Sequence, residues 1–158
     1  MLNKQTAKDD DQSRAYNAAL RLLTAREYAR RELYLKLTKK FTSTAAREAV
    51  KRCAKEGWQS DERCAQMLLR HMELKLYGPV KLQQEAVKRG LSEDLLVPLI
   101  ENTDWIALAL LVLKHKYQCD DLDYVTRQKA LAMLYRRGFS SSMCTRALEL
   151  FLGDTGAL

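Results

Sequence analysis

Apolar residues recur every three or four positions along most of the chain, and no stretch alternates polar and apolar over a strand's length. That period predicts helices throughout. Ala15, Ala18, Ala19, Leu22 and Leu23 give one apolar face to a helix over about 14–25. A second begins near Ala29, with Leu33 and Leu37 a turn apart. A third starts after Thr42 or Ser43, passes through Ala45, Ala49, Val50 and Cys53, and ends at Gly57, which can adopt a left-handed terminating conformation. Ser60-Asp61-Glu62 opens a fourth, because Ser60 or Asp61 can accept free first-turn N–H groups and acids there suit the helix dipole. Met67, Leu68, Met72 and Leu76 carry it to Tyr77. Gly78-Pro79 stops that helix and starts a fifth, whose stripe is Leu82 and Ala86 and whose end is Gly90. Ser92-Glu93-Asp94 caps a sixth, which Pro98 should make short or kinked. A seventh runs from Asp104-Trp105 through Leu113 to Tyr117, apolar on nearly all sides and expected to be central. The eighth carries Ala130 and Leu134 up to Gly138. The ninth follows Ser140-Ser141-Ser142 and carries Met143, Ala147, Leu150 and Phe151 to Gly153.

The order within these helices repeats. Lys39-Lys40-Phe41-Thr42-Ser43, Lys88-Arg89-Gly90-Leu91-Ser92 and Arg136-Arg137-Gly138-Phe139-Ser140 share one pattern, a basic cluster, an apolar residue and a hydroxyl-rich helix start. Their apolar members are spaced by 50 and then 48 residues. The middle helices overlay as Leu33/Leu37, Leu82/Ala86 and Ala130/Leu134. A period of this size marks an array of similar units. Each unit is too small to bury much core alone, so neighbours must stack. The expected fold is all-α: three tandem three-helix repeats, 13–57, 58–104 and 105–153, in an elongated curved array. Residues 1–12, with Asp9-Asp10-Asp11, read as a disordered polar tail, and 154–158 as a C-terminal tail.

Charge separates the repeats. The chain of 158 residues carries a net charge of +7. Residues 13–57 hold twelve basic and four acidic side chains, 58–104 six and eight, and 105–158 seven and five. The first repeat therefore holds essentially all of the excess, which points to a polyanion or an acidic protein partner. Cys53, Cys64, Cys119 and Cys144 form no close pair, and His71 and His115 are isolated. No metal site is expected, and the cysteines read as small buried hydrophobes in a reducing compartment. Asp120-Asp121-Leu122-Asp123 lacks the ligand pattern of a calcium loop. The longest apolar run, Trp105 to Leu113, is nine residues, about half a membrane span. With no signal peptide in the polar first residues, a cytoplasmic location is expected. No nucleophile-and-base motif and no phosphate-cradling glycine loop appears, so no catalytic residue and no cofactor is expected.

Several segments together carry a family resemblance. Arg26-Glu27-Tyr28-Ala29-Arg30-Arg31-Glu32-Leu33, then Gly57-Trp58-Gln59-Ser60-Asp61-Glu62-Arg63-Cys64-Ala65, then Tyr77-Gly78-Pro79-Val80-Lys81-Leu82-Gln83-Gln84-Glu85 resemble the bacterial RecX regulators. Asp104-Trp105 and Tyr135-Arg136-Arg137-Gly138-Phe139 fit the same family, over about 14–152. Departures are Ala29 in place of a Ser that would form a capping box with Glu32, Cys64 for an aromatic, Ala86 for a Leu, and no Gly between Lys40 and Phe41. The resemblance implies a non-enzymatic regulator that binds the RecA recombinase filament on single-stranded DNA. It also implies suppression of ATP hydrolysis, strand exchange and coprotease activity.

Candidate contact residues follow from charge and resemblance together. In the first repeat they are Arg26, Arg30, Arg31, Lys36, Lys39 and Lys40; elsewhere they are Lys81, Arg136 and Arg137. Arg63 reads as a tie to Asp61 or a neighbouring turn. Trp58 and Trp105 read as packing residues at helix starts, and Tyr28 and Tyr135 as core or groove lining. The expected partners are the recombinase filament and the single strand within it, and a monomer with no membrane contact is expected. The alternative is a stand-alone DNA-binding protein using one unit as a helix-turn-helix reader. No helix carries the Arg, Asn and Gln spacing of a recognition helix, which favours the first reading.

Overall fold

The computed structural model describes residues 6–118 and 121–153. Among them are nine helices: α1 Gln12–Ala25, α2 Arg30–Leu37, α3 Ser43–Lys55, α4 Asp61–Leu74, α5 Pro79–Arg89, α6 Glu93–Glu101, α7 Trp105–Lys116, α8 Tyr124–Arg136 and α9 Ser141–Gly153. The chain is all-α and built of three-helix repeats, as the periodicity requires. It forms two compact units. One comprises the described residues up to Met67 together with Lys88–Leu91; the other comprises Leu68–Val87 and the described residues from Ser92 on.

Small side chains set the packing of the first unit. Ala15 and Ala19 on α1 are fully buried, as are Ala45 and Ala46 on α3, and Ala49 is nearly so. Facing alanines let the two helix backbones approach closely, since interaxial distance follows side-chain size at the contact. Leu33 and Leu37 of α2, Val50 and Cys53 of α3, Tyr28 and Phe41 complete this core. Truncating a fully buried leucine such as Leu33 to alanine costs about 2–5 kcal/mol.

Helix starts follow local capping chemistry. Asp11 Oδ1 accepts the Arg14 N–H at 3.0 Å, Thr42 Oγ1 the Ala45 N–H at 3.2 Å and Ser60 Oγ the Arg63 N–H at 3.2 Å. Asp104 and Asp123 do the same for Ala107 and Thr126, at 3.0 and 2.8 Å. The α2 start differs: Ala29 offers no side-chain cap.

The disordered tail is corrected from Asp9 onward. The Asp9 N–H donates to Lys40 O and its carbonyl accepts from the Thr42 N–H, both at 2.9 Å. Asp10 accepts the Thr42 hydroxyl at 2.5 Å, and Asp11 caps α1. The acidic run is therefore a set of anchors: its acceptors meet donors at two helix starts. Helix α4 ends at Leu74 instead of reaching Tyr77, because Leu76 turns to φ 57°.

In the second unit α7 packs mainly on α9, and α8 also lies against α9. Trp105, Ala109, Val112 and Leu113 are buried, while Leu111 is exposed, so α7 faces the core on one side only. The α9 stripe is Cys144, Ala147, Leu148 and Phe151; Met143 and Leu150, expected inside, are only partly buried. Tyr135, expected in core or groove, is exposed. Pro98 lies in α6, which is short at nine residues. The turns of this unit clasp backbone to backbone: Gly78 N–H donates to Arg137 O at 2.8 Å and Val80 N–H to Gly138 O at 3.0 Å. A Cβ at Gly78 would lie 2.3 Å from Gly138 O, so only glycine permits this approach. Cys53, Cys64 and Cys144 are buried, and burial pushes each thiol up from its ordinary value. Neutral buried thiols of this kind are poor nucleophiles. Cys119 and Asp120 lie outside the described residues.

Candidate functional site

The missing cap at Ala29 is supplied from α4. Asp61 Oδ1 accepts the Arg30 N–H at 2.8 Å, taking one of the free donors of α2. The same oxygen accepts from Gln59 Nε2 at 2.9 Å. Gln59 is only 5% exposed, and it also donates to the Tyr28 carbonyl at 3.2 Å. This buried chain of contacts fixes where α2 begins and therefore where Arg30 and Arg31 stand.

Those two arginines line a groove of about 670 Å³ with Tyr34 of α2 and Arg47, Val50 and Lys51 of α3. Asp61 and Gly90 close it. Gly90 has φ +77°, and a Cβ there would lie 2.6 Å from Arg31 Cδ, so its bare backbone accommodates the arginine stem. Arg30, Arg31, Arg47 and Lys51 are exposed, and none has a side-chain ion pair among the described residues. The lone acid of the groove has one oxygen already committed to Arg30 N–H and Gln59. The groove therefore presents four uncompensated cations beside an aromatic ring, a surface suited to phosphates or carboxylates.

The remaining predicted residues fall into different settings. Arg26 is an internal tie: its guanidinium lies 2.8 Å from Glu32 Oε1, stacks 3.7 Å from the Tyr28 ring centre and donates to the Glu27 carbonyl at 2.8 Å. Glu32, freed from a capping box by Ala29, also faces Arg89 at 3.9 Å. Lys36, Lys39 and Lys40 join Arg21 around a second cavity of about 370 Å³ between α1 and α2. Lys36 Nζ is also 5.6 Å from the Tyr28 ring. In the second unit Lys81 Nζ sits 4.2 Å over the Tyr77 ring. Arg137 donates to the carbonyls of Lys75 and Leu76 at 3.1 and 3.4 Å, closing the end of α4. Arg136 is exposed.

Arg63 is the tie that the sequence suggested, with its partners now defined. Its Nε meets Glu27 at 3.0 Å, and its Nη2 donates to the carbonyls of Gly57 and Trp58 at 2.7 and 3.1 Å. Trp105 is buried and donates to Ile100 O at 2.9 Å. Trp58, expected to pack, is 56% exposed. The reason is its position: it follows Gly57 at the closure of α3, with its N–H bonded to Cys53 O, and the turn carries the ring outward. Arg47 and Lys51, counted in the charge of the first repeat, were not among the candidate contact residues. Their four-residue spacing on one helix was the available signal, since such pairs share a face.

Comparison with known proteins places this arrangement. The pattern of the first three-helix domain of RecX matches residues 15–53, and that of the third three-helix domain matches 104–148. A protein named Regulatory protein RecX from Legionella pneumophila (strain Corby) is 33% identical over 141 residues, covering 87% of this chain and 94% of the relative. One of the same name from Xanthomonas campestris pv. campestris (strain B100) is 34% identical over 140 residues, covering 86% of each. The chain belongs to the RecX family. A crystal structure of RecX from Lactobacillus salivarius superposes with a TM-score of 0.75 at 21% identity, over 89% of this chain and 96% of that one. That likeness carries the RecX fold. Among the described residues no single helix is long and apolar enough to cross a membrane.

Proposed function

We propose that this chain binds the filament that RecA recombinase forms on single-stranded DNA and inhibits its ATPase, strand-exchange and coprotease activities. In this reading it is a cytoplasmic, monomeric, non-enzymatic regulator that needs no cofactor. The groove of Arg30, Arg31, Arg47 and Lys51, in the basic repeat 13–57, carries the proposal. Its four charges are free to meet anionic groups without first breaking internal ion pairs, which would offset part of the gain. Lys36, Lys39 and Lys40 with Arg21 extend the same charge to the second cavity. Against a polymer with repeating anionic sites, several modest contacts made by one chain add through effective concentration. Contacts to phosphate displace counterions, so binding should weaken steeply as salt rises.

The test is ATP hydrolysis by the cognate recombinase on single-stranded DNA, titrated with this chain. Inhibition is expected, weakened when Arg30, Arg31 and Lys36 are reversed to glutamate, with the helical content and melting curve retained. Undiminished inhibition by a folded triple variant would overturn the role of the basic groove. A gel-shift comparison of duplex, bare strand and recombinase-coated strand separates this reading from a stand-alone duplex reader. Preference for the coated strand is expected, and tighter sequence-selective duplex binding would count against the filament.

A further inference from the structure

We propose that the exposed row of α3 and the indole of Trp58 form a direct contact for single-stranded nucleic acid, with Trp58 stacking on an unpaired base. This deepens the filament reading, which supplies the strand, but it is measurable without any recombinase. Arg47, Lys51 and Lys55 are exposed on α3 at four-residue intervals, and none has an ion pair among the described residues. Four helical residues rise about 6 Å, of the order of the step between neighbouring phosphates in an extended strand. The row leads toward the α3 end at which Trp58 stands.

Trp58 is held there as a rigid plate. Its indole N–H donates to Glu56 Oε2 at 3.2 Å, and that carboxylate also accepts from the Tyr16 hydroxyl and from Arg52 Nε at 2.9 Å. The Arg52 guanidinium in turn lies 3.8 Å from the Tyr16 ring centre. Trp58 is also fixed through its backbone, by the bond to Cys53 O and by Arg63 on its carbonyl. One edge of the ring is thus pinned while more than half of the residue faces solvent. The ordering entropy that a flexible aromatic would lose on binding has been lost already on folding.

The surroundings favour a base over a protein pocket. Aromatic anchors at protein interfaces sit among apolar neighbours with lysine depleted. Here the adjoining Lys55, Glu56 and Gly57 are all exposed, and the carboxylate touching the indole is already matched by Arg52. At the indole itself, beyond the last basic side chain, the negative end of the α3 dipole disfavours a phosphate, which is left to the row of Arg47, Lys51 and Lys55. The flat face of a base carries no such penalty and stacks on any aromatic ring, whatever the sequence.

The chain has two tryptophans, and Trp105 is only 4% exposed, so quenchable emission reports on Trp58. Titration with oligothymidylate at low salt should quench it, and an abasic strand of equal length should bind with little quenching. Trp58→Ala should weaken oligothymidylate binding by roughly five- to a hundredfold while leaving abasic-strand affinity unchanged; Trp58→Phe should recover part of the loss. Equal oligothymidylate affinity in the parent and a folded Trp58→Ala variant would overturn the proposal. So would quenching that appears only with DNA-free recombinase, which would make Trp58 a protein contact. Oligothymidylate quenching by a chain that leaves the recombinase ATPase uninhibited would overturn the filament reading alone, whereas inhibition without such quenching would overturn the Trp58 contact alone.

Discussion

Replacing Asp61 with alanine tests whether α2 borrows its cap. This helix has only eight residues, too few to persist without tertiary support, and Ala29 contributes no acceptor. The Asp61 side chain supplies one to the Arg30 N–H at 2.8 Å and a second bond to Gln59 Nε2 at 2.9 Å. Loss of a capping acceptor costs about 1 kcal/mol. Gln59 is buried, and although its side-chain amide keeps the 3.2 Å bond to Tyr28 O, losing the bond to Asp61 adds about 0.5–1.5 kcal/mol. The expected loss for Asp61→Ala is therefore about 1.5–2.5 kcal/mol. At about 2–4 °C per kcal/mol for a chain of this length, the melting temperature should fall by roughly 3–10 °C.

Asp61→Asn keeps an oxygen in the same place and should lose less than half as much. Ala29→Ser placed on Asp61→Ala should restore about 0.5–1 kcal/mol, since residue 29 already has the extended backbone of a capping position, φ −66° and ψ 150°. Urea unfolding of the four proteins, followed by circular dichroism, measures all three differences. An Asp61→Ala protein within about 0.5 kcal/mol of the parent, the usual scatter for a neutral surface change, would refute the borrowed cap. An Asp61→Asn as damaging as the alanine would show that charge, not acceptance, is what matters.

Other outcomes follow from the same geometry. Because Asp61 borders the groove, Asp61→Asn should bind heparin more tightly at low salt despite its small loss of stability, and the gain should vanish as ionic strength rises; elution from a heparin column reads this directly. Gly78→Ala should destabilise by at least about 2 kcal/mol, because the new Cβ meets the Gly138 backbone at 2.3 Å and no flexible side chain can yield; thermal melting checks it. Hydrogen bonds from Tyr16 and then Arg52 hold the Glu56 carboxyl below its ordinary value. Its contribution is thus complete above the usual glutamate range and is lost as pH falls through the lowered value. Trp58 emission should change with a midpoint below that of a free glutamate, and Glu56→Gln should abolish the transition.

Sequence reading reached whatever depends on local period and local caps. Leu33, Leu82 and Leu134 are buried where the repeat overlay put them, and Gly57, Gly90 and Gly138 adopt positive φ at the turns. It failed where a residue's partner lies far along the chain. Asp9 pairs with Lys40 and Thr42 some thirty residues on, a distance across which no periodicity speaks. The Arg137 contacts with Lys75 and Leu76, some sixty residues back, drew that candidate into the architecture for the same reason, while Arg26 was drawn in by Glu32 across the turn that opens α2. Trp58, expected to pack because it stands at a helix start, is instead turned out by its place just beyond the terminating Gly57.

The substitution of Ala29 for a capping serine then gains a physical consequence. A serine would cap α2 from within its own segment and leave the helix start independent of α4. With alanine there, the α2 start is referred to Asp61, and Asp61 is in turn held by Gln59 against the Tyr28 carbonyl. Arg30 carries both the capped N–H and one of the groove's four free charges. The position of that charge is thus set by the same oxygen that stabilises the helix. Damage to the cap should therefore appear in the proposed filament inhibition at temperatures well below global unfolding, because eight residues held by a borrowed acceptor can fray while the alanine-packed α1 and α3 remain folded.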